Sequence, residues 1–173
     1  MLMVNSRYTP GVSKIVPVFP MVYSDRIVTS AYTYLPEILE VGQPSTYRFA
    51  FAKALLYGSQ PGWVRAFIIT DPKFETEAKF LKNLMDFRGG IHDIVVGGSF
   101  IREFTPEGDN PRCNYVKFWE EGTVLGAEWT DRNGGKALIL VNTDTKPHKV
   151  TLPAGTPQKK TTVPELTAVV IRY

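Results

Sequence analysis

The chain has 173 residues, a formal net charge of +3, and 43% hydrophobic against 21% charged residues. This composition is ordinary for a globular protein with one good core or two small ones, and it excludes disorder over the whole chain. The basic residues are scattered rather than clustered, so no nucleic-acid partner is expected. No apolar run is long enough to cross a membrane, so no membrane partner is predicted either.

The terminus and the reactive side chains narrow the class of protein further. The first residues lack the cationic segment and apolar core of a signal peptide. The sequence does not decide the cellular compartment of the protein. Cys113 is the single cysteine, which excludes an internal disulfide. His92 and His148 do not lie at metal-ligand spacing, and no glycine motif of a phosphate cradle is present. We therefore predict no metal and no cofactor.

An apolar run, IVPVFPMVY, occupies residues 15–23. We interpret it as a short buried strand, although its two prolines cannot both take regular ladder positions. Tyr23 and Asp25 then stand at the carboxyl end of that strand, where α/β proteins bind their ligands. The alternative for Asp25 is a solvated loop side chain paired with Arg26. Residues 27–44 are interpreted as a long loop.

A first helix is predicted from Ser45, a suitable N-cap, to about Leu55, because apolar residues follow at helical spacing. The apolar residues stop at a Gly/Pro turn that contains Gln60 and Trp63. An indole beside an amide is a common sugar-binding surface, since the ring stacks on C–H faces and the amide bonds hydroxyls. The alternative is that Trp63 anchors the core and Gln60 is a turn residue.

A second helix is predicted over residues 73–88, with a capping Asp-Pro pair before it and a Gly-Gly pair after it. Its apolar stripe directs Phe80, Leu84 and Phe87 inward. Glu75 and Glu77 lie in the first turn, where a carboxylate interacts favourably with the helix dipole. We interpret both glutamates as solvated.

The character of the chain changes after residue 90. Short strands punctuated by turn residues are typical of an antiparallel sandwich. The sequence therefore predicts an α+β protein with an α/β part at residues 1–90 and an antiparallel β-sandwich at residues 91–173. The predicted strands are Ile94–Val96, Phe100–Phe104, Tyr115–Trp119, Thr123–Trp129, Ala137–Val141, Val150–Leu152 and Thr167–Arg172.

One of these strands and two tryptophans carry further expectations. Ala137–Val141 is apolar on both faces, which predicts a central strand covered from both sides. Trp119 and Trp129 favour a carbohydrate-binding module if their rings are exposed. The alternative is that both rings fill the core, since Trp129 alternates with polar neighbours on its strand.

The order of several stretches resembles a known architecture: VPVFPMVYSDR, FAFAKALLYGSQPGW, ETEAKFLKNLMDFR and AEWTDRNGGKALILVNTDTKPHKVTLPAG. In this order they resemble the C-terminal part of large bacterial glycoside hydrolases, and most closely a poorly characterised group among them. Those enzymes join a (β/α)8 barrel to a C-terminal antiparallel β-sandwich. The resemblance implies that the α/β part is a partial (β/α) barrel remnant. It also implies a carbohydrate partner at a sugar site bordered by Tyr23, Asp25, Gln60 and Trp63.

Three functions follow as hypotheses. The first is a C-terminal fragment or accessory domain of a glycoside hydrolase, inactive alone because the barrel is incomplete. The second is a carbohydrate-binding β-sandwich module. The third is a structural or oligomerisation domain, in which the apolar N-terminal half is covered by a second copy of the chain or by the missing N-terminal barrel segment. Whether the chain is an enzyme is left open.

Overall fold

The computed structural model describes residues 5–7, 17–32, 44–62, 70–116 and 119–173. Three short strands in the first part pair in parallel in the order β1-β2-β3, and helices lie between them along the chain. Parallel neighbours need a crossover connection, and a helix is its usual form. The elements are β1 (Asn5–Arg7), α1 (Val18–Tyr23), β2 (Ser30–Tyr32), α2 (Pro44–Leu56) and β3 (Gln60–Gly62).

The strand predicted at residues 15–23 is wrong for the residues that the structure describes, because Val18–Tyr23 is a helix. The backbone N–H of Met21 donates to the Pro17 carbonyl at 3.1 Å, and the N–H of Ser24 donates to the Pro20 carbonyl at 3.1 Å. Pro20 fits because the N–H groups of a first helical turn need no helical partner. A short apolar run does not distinguish a strand from a helix.

Helix α2 confirms the prediction of a helix from about Ser45. It is buried on every side, and none of residues 49–57 exposes more than 4% of its surface. Its neighbours are β3, α3 and strands of the antiparallel sheets described below. A helix that is apolar all round belongs inside a protein, and α2 is the centre of this one.

The second predicted helix is also confirmed, as a 3-10 turn (Pro72–Phe74) that continues into α3 (Glu75–Gly90). The Asp71 carboxylate caps it by accepting the Lys73 backbone N–H at 3.0 Å. Phe80 and Leu84 are buried as predicted, whereas Phe87 is only partly buried against the same core. The strand predicted at Ile94–Val96 is wrong, because the chain adds a further helical turn, α4 (His92–Val95), which buries Ile94 and Val95.

The rest of the chain forms antiparallel strands. The strand predicted at Tyr115–Trp119 is replaced by the hairpin β6–β7, whose register shifts between Asn114 and Val116. The other predicted strands are present with small changes of boundary. The strands are β4 (Ser99–Phe104), β5 (Glu107–Gly108), β6 (Arg112–Val116), β7 (Trp119–Gly122), β8 (Val124–Thr130), β9 (Lys136–Asn142), β10 (His148–Thr151), β11 (Lys160–Val163) and β12 (Thr167–Arg172).

Two sheets and the hairpin make up this part, which we call the β half. A four-stranded sheet has the order β12-β9-β8-β4, and a three-stranded sheet has the order β11-β10-β5. In β9, Leu138 and Leu140 pack with residues of the three-stranded sheet, whereas Ile139 and Val141 belong to the core shared with the helices. The prediction of a central strand covered on both sides is therefore confirmed.

The four-stranded sheet is thus a middle layer, with the three-stranded sheet on one face and α2 and α3 on the other. The α+β class is confirmed by this arrangement. One hydrophobic core joins Phe49 and Leu84 of the helices to Trp129 and Ile139 of the sheet. The division at residues 1–90 and 91–173 stays a prediction. None of the helices in the described ranges is long and apolar enough to span a bilayer.

Candidate functional site

Tyr23 and Asp25 lie at the end of α1 and in the turn that follows it. Because residues 18–23 are helical, Asp25 precedes β2, at the amino edge of the parallel sheet. The prediction that it follows a strand at the carboxyl edge is therefore wrong. Asp25 is exposed and lies 3.5 Å from Arg26 Nε, and Tyr23 is 44% exposed with its ring against Phe19. Their role in sugar binding stays a prediction.

Gln60 is the first residue of β3 and pairs with Ser30, the first residue of β2. Its backbone N–H donates to the Thr29 carbonyl at 2.7 Å, and its side chain is exposed. Gln60 therefore lies at the same amino edge of the sheet as Asp25. The fourth predicted site residue, Trp63, lies outside the described residues.

A buried ion cluster joins α2 to the β half. The ammonium of Lys53, which is 4% exposed, lies 2.6 Å from Glu103 Oε1 on β4 and 3.1 Å from Glu121 Oε2 on β7. The hydroxyl of Tyr57 donates to the same oxygen of Glu103 at 2.8 Å. We call these four residues the Lys53 cluster. Its two carboxylates converge on one cation from different strands, which fixes both strands against the helix.

Sequence reasoning missed the Lys53 cluster. The available signal was a lone charge inside the apolar run FAFAKALL, since a buried lysine needs a carboxylate partner. The partners could not be found from sequence because Glu103 and Glu121 lie 50 and 68 residues further along the chain.

A second ion pair joins α2 to α3. The Nη1 atom of Arg48 donates to Glu77 Oε1 at 2.6 Å, and its Nε donates to the Thr143 carbonyl beyond β9 at 2.7 Å. The interpretation of Glu77 as solvated is wrong, because Glu77 is 3% exposed. Glu75, two residues earlier on the helix, is exposed as predicted. The two glutamates differ because Glu77 is on the face of α3 that meets α2.

Trp129 is the largest side chain in the shared core and is fully buried. Its indole N–H donates to the Leu56 carbonyl at 2.9 Å, and Phe100 packs edge-on with the two ring centroids 5.5 Å apart. No face of Trp129 is free for a sugar ring, so the core alternative is confirmed for this residue. The side chain of Trp119 lies outside the part of the chain that the structure describes.

Tyr115 of the hairpin is buried against Phe49 of α2, and the two ring centroids are 4.2 Å apart. Burial raises the pKa of Tyr115 well above its ordinary value, so the phenol stays protonated at physiological pH. Its hydroxyl donates to the Gly122 carbonyl at 2.9 Å. Tyr115 is therefore a hydrogen-bond donor in the interface and is unsuited to be a general base.

These groups define the chemistry of the interface. Among the described residues, no three side chains of the His, Cys, Asp or Glu type converge on a point where a metal ion could sit. The carboxylates between α2 and the β half each face a cation, an arrangement that joins elements together. The site that the described residues build best is therefore the contact between a β/α layer and the antiparallel sheets.

The fold accordingly belongs to the class in which parallel β/α elements are followed by antiparallel sheets. The chain is 43% identical over 169 residues to a protein of Bacteroides thetaiotaomicron named "Putative glycoside hydrolase". The alignment covers 98% of this chain and 24% of that relative. The chain is thus similar to one part of a larger protein that bears the name of a glycoside hydrolase. No protein-family model matches the chain.

Proposed function

We propose that the chain is an accessory part of a glycoside hydrolase, in which an antiparallel β half holds the last β/α units of a catalytic barrel. The observation that carries this proposal is the burial of α2 between the parallel strand β3 and the four-stranded sheet. In this role the β half supplies stability and position, and the cleavage of the glycoside is performed elsewhere in a longer protein. Similarity to the larger Bacteroides protein supports the same proposal.

Contacts from β4, β7 and β8 support a holding role. The Lys53 cluster joins α2 to β4 and β7, and Trp129 of β8 bonds the carboxyl end of α2. The hydroxyl of Ser24 after α1 accepts the Phe100 backbone N–H of β4 at 2.8 Å. Two helices of the β/α layer are therefore fixed to the same sheet, which suits a rigid attachment of that layer.

Helix α1 presents an apolar surface that a longer protein would cover. The surface consists of side chains that are 44–58% exposed, namely Val18, Met21, Val22 and Tyr23. The three described parallel strands are far fewer than the eight of a closed (β/α)8 barrel. We propose that further β/α units, such as a longer relative has room for, pack on α1. Self-association of the chain through α1 is the competing outcome.

The sugar site predicted from the family resemblance is part of this proposal. Barrel enzymes bind substrate at the carboxyl ends of their strands. Trp63 follows directly after β3, whereas Asp25 and Gln60 lie at the amino edge. In a longer, active protein we therefore expect Trp63→Ala to lower hydrolysis. Asp25→Asn and Gln60→Ala test the other predicted site residues, and unchanged hydrolysis in either variant would remove that residue from the predicted site.

The test is the hydrolysis of aryl glycosides by two proteins. One is this chain, and the other is a longer protein that carries it after a complete barrel. We expect turnover only by the longer protein, and we expect Trp129→Ala in the longer protein to reduce its thermal stability. Turnover by this chain alone, lost on substitution of a carboxylate, would contradict the accessory role.

A further inference from the structure

A groove crosses the end of the β half where the chain passes from one sheet to the other. Strand β4 ends at Phe104 in the four-stranded sheet, and β5 begins at Glu107 in the three-stranded sheet. A cavity of about 320 Å³ lies beside this crossing and is closed on its other side by the end of β10. We call it the β4–β5 groove, and the lining residues used below are Arg102, Phe104, Thr105, Glu107, Thr151 and Pro153.

A second, smaller cavity lies next to the groove. This cavity of about 140 Å³ shares Phe104 and Thr105 with the β4–β5 groove and reaches the Lys53 cluster. The volume of the larger cavity alone lies at the lower end of the range for small-molecule sites.

The polar groups in the groove have unused bonding capacity. Arg102 bonds Glu128 through Nε at 2.8 Å, and its side chain is 57% exposed, so its two terminal amino groups face solvent. No described residue forms an ion pair with Glu107. The charge of Arg102 is compensated by Glu128, and Glu107 is exposed so that water screens its charge, which leaves no strong selection for an ion. Together with the hydroxyls of Thr105 and Thr151, these side chains offer donors and acceptors to a neutral ligand that carries many hydroxyl groups.

The apolar wall of the groove is held rigidly. Gly126 lies in the middle of β8, where a glycine weakens a strand unless another group must come close. A Cβ atom at Gly126 would lie 2.6 Å from Phe104 Cζ, so the glycine makes room for the Phe104 ring. Phe104 and Pro153 then provide fixed apolar surfaces beside the polar groups. An apolar ring beside hydrogen-bonding side chains is the combination that suits the C–H faces and hydroxyls of a sugar.

We propose that the β4–β5 groove binds a neutral oligosaccharide. The groove is lined by residues of β4, β5 and the end of β10 and by residues next to them in the chain, so it adds a binding site within the β half. The choice of a saccharide among neutral polyhydroxyl ligands rests on the proposed function. The contacts assigned to the ligand are hydrogen bonds to Arg102, Glu107 and Thr151 and apolar contact with Phe104.

The experiment titrates ¹⁵N-labelled chain with a panel of neutral oligosaccharides and with analogues that carry a carboxylate or an amine. We expect one neutral class to shift the amide signals of residues 102–107 and 151–154. Glu107→Ala and Thr151→Val should each weaken that binding about tenfold, since each removes a hydrogen bond to the ligand. Glu165→Ala, which removes a carboxylate that does not line the groove, is the matched control and should bind like the parent chain.

The proposal is overturned if no neutral oligosaccharide binds at millimolar concentration, or if the charged analogues bind more strongly. Signal changes confined to residues outside the groove would overturn it as well. The variants should unfold at the same temperature as the parent chain. Weaker binding by such a variant then does not come from a folding defect. Binding is measured on this chain and the accessory role on a longer protein, so the failure of one is distinguishable from the failure of the other.

Discussion

The indole of Trp129 and the carbonyl of Leu56 form a 2.9 Å hydrogen bond that joins the β half to the carboxyl end of α2. The chain then turns at Gly58, where φ is +73°. A Cβ atom at Gly58 would lie 2.7 Å from Trp129 Cη2. The turn after α2 and the indole of Trp129 are therefore fitted to each other, and this fit requires glycine.

We predict that Gly58→Ala destabilises the chain more than Gly134→Ala does. Both glycines have positive φ, so alanine costs about 1–2 kcal/mol of backbone strain at each position. Only at Gly58 must Trp129 also move, because nothing lies within 4 Å of a Cβ atom at Gly134. Equilibrium denaturation of the two variants gives the comparison, and equal losses would contradict the proposed fit.

Removal of the cation from the Lys53 cluster should be costly. Lys53→Met leaves two carboxylates buried without their partner, and we expect the free energy of unfolding to fall by about 3–5 kcal/mol. Lys82→Met is the matched control, because Lys82 forms an exposed pair with Asp86 one turn away. That change should cost under about 0.5 kcal/mol. A similar small loss in both variants would mean that the cluster does not stabilise the interface.

A charge placed between the two sheets should prevent folding. Leu140 is fully buried in the core of the two sheets, and Leu140→Asp leaves an unpaired carboxylate there. We expect no soluble protein from this variant. Ile101→Asp places the same charge on an exposed position of the four-stranded sheet and should yield soluble protein. Normal yield from both variants would be inconsistent with the central position of β9.

The Asp93–Arg172 pair predicts a small acid dependence of stability. The hydrogen bond from Arg172 holds the pKa of Asp93 below its ordinary value. A depressed carboxyl pKa in the folded state stabilises the fold above the unfolded pKa of about 3.9, and this contribution is lost as pH falls through the folded pKa. Because the pair is partly exposed, we expect Asp93→Asn to cost under about 1 kcal/mol at pH 7.

The difference between Asp93→Asn and the parent chain should shrink as pH falls through the folded pKa of Asp93, because the carboxyl then becomes neutral like the amide. Urea denaturation at several pH values measures this. A difference that is constant from pH 7 down to pH 2 would show that the effect of the substitution does not come from the ion pair.

The apolar surface of α1 is covered either by further β/α units of a longer protein or by a second copy of this chain. Val22→Asp distinguishes these two possibilities. If further β/α units cover it in a longer protein, Val22→Asp should reduce the stability of that longer protein. If the chain alone forms a homodimer through α1, light scattering should show a dimer that Val22→Asp, which changes a 55% exposed side chain, dissociates. A monomeric parent chain at high micromolar concentration would argue against the dimer.

The sequence predicted the elements whose signals are local. The cap at Asp71 and the apolar stripe with Phe80 and Leu84 located α3, and the two apolar faces of β9 located the central strand. Residues 18–23 were misassigned because an apolar run of this length fits a strand as well as a helix. That one error also moved Asp25 to the wrong edge of the sheet.

Contacts between distant residues were beyond sequence reasoning. Nothing in the spacing of Arg48 and Glu77, or of Lys53 and Glu103, indicates that these residues meet. Burial of a charge depends on which faces of two elements come together, and this is decided by the packing of whole layers. For the same reason the β4–β5 groove, formed where two sheets end, had no signal in the sequence.

Hydrogen exchange measures most directly whether the β half holds α2 in place. Leu140→Ala removes packing on the face of β9 that points away from α2. If the two parts form one unit, this variant should lower the protection of the amides of residues 49–56 as much as that of β9. If protection falls in β9 and is unchanged in α2, the helix is stable without the β half, and the holding role of the β half is contradicted.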